Sequence, residues 1–499
     1  MEVKFETAAC RCLRQKVCEV QNQEQTQEIR LPEGLPDIGR ILCSWGQVIL
    51  RSKEWRSDGM NATGGVMVWV LYMPDDGSEP QCVDGWLPFQ MKWDFPETER
   101  EGAILLQPLL RSVDARTVSA RKLMVKTSVG ILGEAWEPWE ESIYRHGEDV
   151  ENVQILHQTY PLLLNMEAGE KTFVLDEELT MPDSCPELAR ILRYDLQPKL
   201  LEQKVMAGKV VFRGNGLLHV LCQSGEGELF NWDFEIPFSQ FGDLEGDYSQ
   251  NAGARLVAAV TNLELEQTDG GTLRLKCGVV CQYTVTDQIM VEVAEDAYGI
   301  NRKLKPEFAE LKLPAILEER SEKFNAELTL DLECGKILDV KFMPDHPRIH
   351  RMGDQVRGEL AGVFQMLYED GEGHLQSSVR RWESAWPLAG DCDCTVYMEI
   401  SSAELGMGTM NAGGATLRGD VSVSARTVNE QGINMITGFE IGEMEQPDPS
   451  RPSLILRRTE GERLWDLAKS CGTTVAAICQ ANQLLSEPQQ GQLLLIPIQ

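Results

Sequence analysis

An internal repeat with a spacing of 150 residues is the feature that most limits how this chain of 499 residues can fold. Residues 31–42 and 181–192 share one pattern: an apolar residue, proline and an acid, two further residues, then proline, an acid, an apolar residue, a small residue, arginine, isoleucine and leucine. The same offset relates two sets of apolar and basic residues, namely Leu123, Val125, Lys126 and Val129, and Leu273, Leu275, Lys276 and Val279. One offset held over so long a span indicates a structural unit that occurs at least twice.

A third and more diverged copy follows the first two. Residues 335–338 correspond to residues 189–192 at an offset of 146, but the pair of prolines that precedes them in the other copies is missing. We therefore expect three repeats in succession, at residues 1–160, 161–305 and 306–442. The signature of the first two copies is defined by Pro36, Asp37, Arg40, Pro186, Glu187 and Arg190.

The spacing of apolar residues predicts that the repeats are built mainly from β-strands. Between Leu273 and Val285 apolar side chains occupy alternate positions, which is the period of a half-buried strand. Residues 75–77 and 225–227 have the glycine and polar composition of turns. The glycines of residues 214–216 separate two apolar runs and predict a hairpin loop.

The signature itself predicts a short helix. Proline and an acid at the start of residues 186–190 are typical of a first helical turn. This places Arg40, Arg190 and their counterpart Lys336 on a solvated helix face, with an interaction surface as the second interpretation. The predicted fold class is mainly β, with three tandem β-rich, sandwich-like α+β repeats followed by a small βααβ domain.

Residues 453–499 are expected to form that small domain. Three prolines within residues 443–452 predict a short, stiff linker in front of it. Leu464 and Leu467 have the spacing of one helix face, and Gly472 is suited to end this helix.

A second helix and a final strand complete the expected domain. Thr473 or Thr474 can cap the second helix, and Asn482 can supply the left-handed residue that ends it. Leu493 and Leu495 then alternate with their neighbours, as the apolar side of a strand does.

The loops that flank these two helices are the predicted binding site. In a strand–helix–helix–strand order both loops are expected at one end of the sheet, where they would line a shallow groove. The groove residues are Gly461, Glu462, Arg463, Ala481, Asn482, Gln483 and Leu484.

The charge of the chain limits its partners. Against 47 Lys and Arg there are 78 Asp and Glu, which gives a net charge of −31. Such a chain repels nucleic acid and anionic membrane surfaces. The N-terminal residues lack the basic and apolar regions of a secretory signal, and no apolar stretch has the length of a membrane span. We therefore expect a cytoplasmic protein without membrane insertion.

The chemistry-bearing residues favour binding over catalysis. The 14 cysteines and six histidines are dispersed, and several cysteines lie in strand-like runs, which predicts buried, reduced thiols such as Cys222, Cys277 and Cys281. Neither a zinc-binding spacing nor a phosphate-binding loop nor a nucleophile elbow occurs. We expect no metal, no cofactor and no enzymatic activity.

Two resemblances give these patterns a biological context. The order of residues 454–497, with Leu464-Trp465, Gly472-Thr473 and Asn482, resembles a LysM domain. The signature at residues 36–42 and 186–192 resembles that of the SPOCS domain of endospore-forming Firmicutes. SPOCS repeats followed by a C-terminal LysM domain are the layout of the SipL-like family of clostridial spore-coat proteins.

The resemblance implies a non-enzymatic adaptor in the assembly of the spore coat. It implies a mother-cell cytoplasmic protein that is recruited to the forespore surface. Its LysM domain would bind a coat basement-layer protein, a SpoIVA-like ATPase, while the repeats contact other coat components. The alternative is a peptidoglycan- or glycan-binding protein that acts through the LysM domain. The oligomeric state and the role of the third repeat are open at this point.

Overall fold

The computed structural model describes residues 2–145, 150–182, 184–268, 271–330, 334–353, 355–388, 394–411, 414–444 and 452–498. Within these ranges the chain forms 22 strands and two helices, so the prediction of a mainly β fold is confirmed. No helix in these ranges has the length and apolar character that are needed to cross a membrane.

The strands follow one another in three similar series. After β1 (Glu2–Lys4), the first series comprises β2 (Thr7–Arg30), β3 (Ile38–Arg56), β4 (Gly59–Pro74), β5 (Gln81–Asp94), β6 (Ala103–Ser119) and β7 (Lys122–Tyr144). The second comprises β8 (Val153–Thr180), β9 (Leu188–Met206), β10 (Lys209–Ser224), β11 (Leu229–Asp243), β12 (Gly253–Gln267) and β13 (Thr272–Gly299). The third comprises β14 (Arg302–Leu330), β15 (Cys334–Pro344), β16 (Arg348–Met352), β17 (Gln355–Asp370), β18 (Leu375–Leu388), β19 (Thr395–Asn411) and β20 (Gly414–Met444).

Each series has the same strand pairing, and we call the three series units 1, 2 and 3. One sheet joins the long first strand to the last hairpin, in the orders β2-β7-β6, β8-β13-β12 and β14-β20-β19. The other sheet is a meander, in the orders β3-β4-β5, β9-β10-β11 and β15-β17-β18. Unit 3 has two additions, since β16 pairs with β17 and β1 pairs with β20. Units 2 and 3 begin at Val153 and Arg302, a few residues before the starts predicted from the sequence.

The two sheets of a unit face each other and share one hydrophobic core. In unit 1 the buried side chains of Met60, Val68, Leu106 and Ile131 come from both sheets and form one cluster. In unit 2 the corresponding cluster contains residues of all six strands. Each unit is therefore a β-sandwich that is held together by apolar side chains from alternate strand positions.

The predicted turns have mixed outcomes. Residues 75–77 and 225–227 do form turns, and Gly77 and Gly227 have φ angles of 73° and 85°, which favour glycine. The hairpin loop predicted at residues 214–216 is wrong, because these residues lie inside β10. A Cβ atom at Gly214 would lie 2.2 Å from the Lys199 carbonyl oxygen, so this glycine permits close packing of neighbouring strands.

Beyond the sandwiches, the long strands continue as three two-stranded ribbons. The ribbons pair β2 with β7, β8 with β13, and β14 with β20. Their inward side chains share one core, which includes Cys12, Leu164, Val293, Leu313 and Met435. We call this the ribbon bundle. It joins all three units, and β1 adds a further short pairing to β20.

The C-terminal module has the predicted order of elements. It consists of β21 (Leu454–Arg458), α1 (Leu464–Cys471), α2 (Val475–Asn482) and β22 (Leu493–Pro497), and β21 pairs with β22. Gly472 ends α1 in the left-handed conformation, and the Thr474 side chain accepts a hydrogen bond from the Ala477 backbone N–H, both as predicted.

Two details of the module differ from the prediction. Gln483, with a φ of 55°, is the left-handed residue after α2, and Asn482 is the last residue of the helix. In β22 the core-facing residues are Leu494 and Ile496, one position later than the predicted apolar side. Of the predicted linker, residues 443 and 444 belong to β20, and residues 445–451 lie outside the described residues.

The ribbon bundle gives the first prediction. Leu313 is fully buried there, so Leu313→Ala should lower the free energy of unfolding by about 2–5 kcal/mol through the cavity that it leaves. Leu317 lies on the same strand with 53% of its surface exposed, and Leu317→Ala should cost less than about 0.5 kcal/mol. Urea unfolding of both variants measures the difference, and equal stabilities would contradict a shared ribbon core.

Candidate functional site

The signature residues form two β-bulges in each unit. The strand register skips two residues where the meander sheet begins: Gly39 and Leu42, Ala189 and Leu192, and Gly335 and Leu338. In unit 3 the first bulge favours glycine, since a Cβ atom at Gly335 would lie 2.8 Å from the Asp370 carbonyl oxygen. The helical turn predicted at residues 186–190 is therefore wrong, because the apolar-small-arginine pattern is that of a bulged strand.

The second bulge brings the three units together. Leu42, Leu192 and Leu338 are buried in a single cluster, together with Leu71, Leu221 and Leu367 from the neighbouring strands. Each unit thus contributes the same two leucine positions to one point. The bulged leucines of the signature therefore lie at the point where the three units meet.

The basic residues of the signature link the units in a closed ring. Arg190 of unit 2 donates hydrogen bonds to the Pro80 carbonyl oxygen (2.7 Å) and to Gln81 (2.6 Å) of unit 1. Arg40 of unit 1 donates to the Leu375 carbonyl oxygen of unit 3 at 2.8 Å. Lys336 of unit 3 lies 2.9 Å from a Glu228 oxygen of unit 2.

These contacts correct the first interpretation of the basic residues. The predicted helix is wrong, because Arg40, Arg190 and Lys336 lie on strands. Arg40 and Lys336 are exposed to solvent, as predicted, but each also contacts a neighbouring unit. The second interpretation, an interaction surface, describes them better, although the interaction is within the chain.

The proline and acidic residues of the signature stabilise the loop before the bulges. The Pro36 carbonyl oxygen accepts a hydrogen bond from the Tyr72 hydroxyl at 2.9 Å, and the Asp37 carboxylate accepts one from Arg121 at 2.8 Å. In unit 2 the Glu187 carbonyl oxygen accepts from the Gly225 N–H, and the Pro186 side chain is exposed. These residues therefore fix the entry of the strand and do not form a separate site.

A buried charge cluster lies beside the leucine point. The residue after the bulged leucine is Cys43, Arg193 or Asp339 in the three units, and the Arg193 guanidinium contacts the Asp339 carboxylate at 2.7 Å with both side chains 1% exposed. Asp195 and Lys341, two residues further along each strand, form a second pair at 3.1 Å. This cluster was not predicted, although residues of opposite charge stand at equivalent repeat positions in the sequence.

The Asp339 carboxylate and the His219 ring, which lie 2.8 Å apart, are shifted toward their charged forms, whereas burial lowers the pKa of Lys341. Burial alone would raise the pKa of Asp339, but the charge of Arg193 and the hydrogen bond from His219 lower it well below its ordinary range. Burial alone would lower the pKa of His219, but hydrogen bonds to Asp233 and Asp339 outweigh burial and raise the pKa to about 9. Asp339 and His219 are therefore both ionised near neutral pH, and their opposite charges compensate each other.

A second cluster of buried charged residues connects the three units. It lies in the sheets whose long strands continue into the ribbons. Arg255 of unit 2 donates to both oxygens of Glu134 of unit 1, at 2.9 and 2.5 Å, and also contacts Glu399 of unit 3. Arg426 of unit 3 lies 3.8 Å from Glu134. Since all four side chains are at least 87% buried, separation of the units would leave uncompensated charges.

The C-terminal module is docked on the end of β13. Asp296 accepts hydrogen bonds from the Trp465 indole N–H (2.8 Å) and from the Lys469 ammonium (2.7 Å). The Tyr298 hydroxyl donates to the Thr473 carbonyl oxygen at 2.7 Å, and its ring lies 4.8 Å from that of Trp465. Tyr298 and Ile300 thereby complete the core of the module.

The first predicted groove loop is largely engaged in internal contacts. The Glu462 carboxylate accepts a hydrogen bond from the Glu460 N–H at 2.6 Å and pairs with Arg457 at 3.0 Å. Arg463 directly precedes α1, pairs with Asp466 at 3.0 Å and lies 3.8 Å from Glu295 of the body. Gly461 is exposed and has a φ of 104°.

The second predicted loop combines one structural residue with exposed neighbours. The Asn482 amide makes two hydrogen bonds to the Leu495 backbone, at 2.6 and 2.7 Å, so it holds α2 to β22. Ala481 and Gln483 are exposed, and Leu484 is half-buried in the module core. The segment after this loop contacts the start of α1, where Glu487 accepts a hydrogen bond from the Leu464 N–H at 2.9 Å.

The cysteine side chains predicted to be buried lie in environments that make them unreactive. Cys222, Cys277 and Cys281 are fully buried free thiols, as predicted, and burial raises their pKa values to about 12, which keeps them protonated and poorly nucleophilic. Among the described residues, no three His, Cys, Asp or Glu side chains are grouped so that they could hold a metal ion.

The charge cluster predicts a specific pH dependence. The folded-state pKa of His219 is raised from 6.5 to about 9, so its stabilising effect is fully present below pH 6.5 and is lost as the pH rises through 9. Between pH 6.5 and 9.5 the free energy of unfolding should fall by roughly 2–4 kcal/mol from this group. His219→Gln should remove that part of the decrease, whereas the exposed control His350→Gln should retain it. Identical pH profiles of His219→Gln and the wild type in denaturant unfolding would refute this role.

The docking of the module predicts a local effect of Asp296. Asp296→Ala leaves the Trp465 N–H and the Lys469 ammonium without their acceptor, which should weaken docking by about 1–3 kcal/mol. Hydrogen exchange of the α1 amides should then accelerate, while exchange in the ribbon bundle stays unchanged. Glu292→Ala removes an exposed acid from the same strand and is the matched control. Unchanged exchange in α1 would show that the carboxylate is not needed for docking.

One comparison with known proteins found a match. A family model described as the SPOCS domain of SipL matches residues 187–268, which begin in the signature of unit 2 and extend through β12. Searches of curated proteins and of solved structures found no match. Over this part of unit 2, the chain is similar to the SPOCS domain of SipL.

Proposed function

We propose that the chain is a non-enzymatic adaptor in spore-coat assembly. The observation that carries the proposal is the match of residues 187–268 to the SPOCS domain of SipL. In this proposal the protein acts in the mother-cell cytoplasm and is recruited to the forespore surface. It works by binding, without a cofactor, and connects a coat basement-layer protein to other coat components.

The proposal assigns all three units to the SPOCS type. Support comes from the paired bulges at Leu192, Leu42 and Leu338, which place equivalent residues of the three units in one cluster. The strand pairings that the three units have in common support the same assignment. Unit 3 then keeps the fold without the two prolines because Gly335 still permits the first bulge.

The module formed by β21, α1, α2 and β22 is proposed to be a LysM domain with a protein ligand. Its element order and its helix ends support the domain type. Two polar groups of the predicted groove already have partners within the module, since Arg463 pairs with Asp466 and the Asn482 amide bonds to Leu495. Fewer free donors and acceptors remain there for sugar hydroxyls, which favours a protein partner, here a SpoIVA-like ATPase of the coat basement layer.

The contacts between the units suit the role of an adaptor. Buried ion pairs and the ring of Arg40, Arg190 and Lys336 join the three units. The module is fixed to this body through Asp296. A stiff body with a fixed binding module can hold two coat proteins at a set distance, because little conformational freedom is lost on binding.

Direct binding measurements test the proposal. Calorimetric titration of the full chain with the purified basement-layer ATPase should give a saturable signal, with a dissociation constant in the micromolar range or tighter. Peptidoglycan fragments and chitin oligosaccharides should give no saturable signal under the same conditions. Saturable binding of a sugar ligand without binding of the ATPase would overturn the proposal in favour of a glycan-binding protein.

A further inference from the structure

The outer face of the β21–β22 sheet carries exposed apolar side chains. Leu454, Leu456 and Leu493 are 50%, 62% and 51% exposed. The other face of the sheet supplies Leu494 and Ile496 to the module core, below the helices. Half-exposed leucines that are grouped on one face of so small a domain indicate a surface that a partner covers.

The docking of the module determines where this face points. Helix α1 lies on the inner side of the sheet and contacts the body through Trp465 and Lys469. The inner side of the sheet is thus turned toward the body, and the outer face is turned away from it. The outer face is therefore accessible to a partner while the module remains docked. The side of α1 near Asp296 is not accessible in the same way, because it contacts the body.

The side chains on the outer face indicate which class of ligand it can bind. By strand register the face holds Leu454, Leu456, Arg458, Leu493, Leu495 and Pro497. It has no aromatic ring on which a sugar could stack.

The positive charge of Arg458 indicates which charge the partner should carry beside its apolar patch. Within the described part of the chain, Arg458 has no carboxylate within ion-pair distance, and its guanidinium donates to the Gly491 carbonyl oxygen at 3.1 Å. Arg458 lies beside Leu493 in the register, at the edge of the apolar face. A matching surface would place an apolar patch on the leucines and a carboxylate next to Arg458.

We propose that the outer face of the β21–β22 sheet is the surface through which the module binds its protein partner. The partner presents an apolar patch that is bordered by a carboxylate. This inference rests on the proposed function and adds the contact surface, which lies on the sheet and not in the predicted groove between the helix loops.

The test compares variants of the full chain in titrations with the purified basement-layer ATPase. The double variant Leu454→Ser, Leu456→Ser and the single variant Arg458→Glu should each weaken binding at least tenfold, with an unchanged melting temperature. Val174→Ser removes an equally exposed apolar side chain from β8 and should bind as the wild type does. Gln483→Ala tests the predicted groove and should also bind normally.

The possible outcomes distinguish failure of the proposed contact surface from failure of the proposed function. Wild-type affinity in both folded outer-face variants would overturn the proposed surface and leave the function standing. Failure of the wild-type chain to bind the ATPase would overturn the function, and the surface inference with it. Sedimentation of the wild type as a dimer that the leucine variant dissociates would instead assign this face to a second copy.

Discussion

The buried ion pair between Arg193 and Asp339 determines how three similar units can share one centre. These residues and Cys43 occupy one equivalent position directly after the bulged leucine. Three copies of either charge there would place like charges together in a water-free site, at a cost of several kcal/mol. A neutral, a positive and a negative residue remove that cost. The pairing of Arg193 with Asp339 therefore allows this position to be buried at the point where the units meet.

Parts of the fold were predictable because they depend on spacing along the chain. The offset of 150 residues is visible in the sequence, and the alternation around Leu275 follows from burial of one strand face. The bulges could not be predicted from spacing. A proline followed by an acidic residue occurs both at the first turn of a helix and in the loop before a strand, so the signature did not distinguish the two. The hairpin loop at Gly214 was predicted wrongly for a similar reason. In the sequence, a glycine that allows two strands to approach closely cannot be distinguished from a glycine in a turn.

The candidate site was less predictable, since it depends on contacts between distant residues. The helix ends at Gly472 and Thr474 follow from local chemistry and were predicted. The hydrogen bond from Trp465 to Asp296 could not be predicted, because it joins β13 to a module that is distant in sequence. Asp296 also directly follows a bulge at Glu295, which the sequence pattern does not indicate. For Arg40 and Arg190, the sequence identified the residues, but only the three-dimensional arrangement shows that they contact neighbouring units.

The pairing of β1 with β20 has a consequence for how this protein is made. Residues 2–4 pair with β20, which ends at Met444, so their partner leaves the ribosome only after units 1 and 2 and most of unit 3 have been synthesised. Until then, the inward faces of the ribbons of units 1 and 2 lack their third neighbour. Native contacts of such long sequence separation form slowly, and the unfinished chain exposes apolar strand surface that favours aggregation. Biosynthesis of this protein is therefore most vulnerable just before its last long strand emerges.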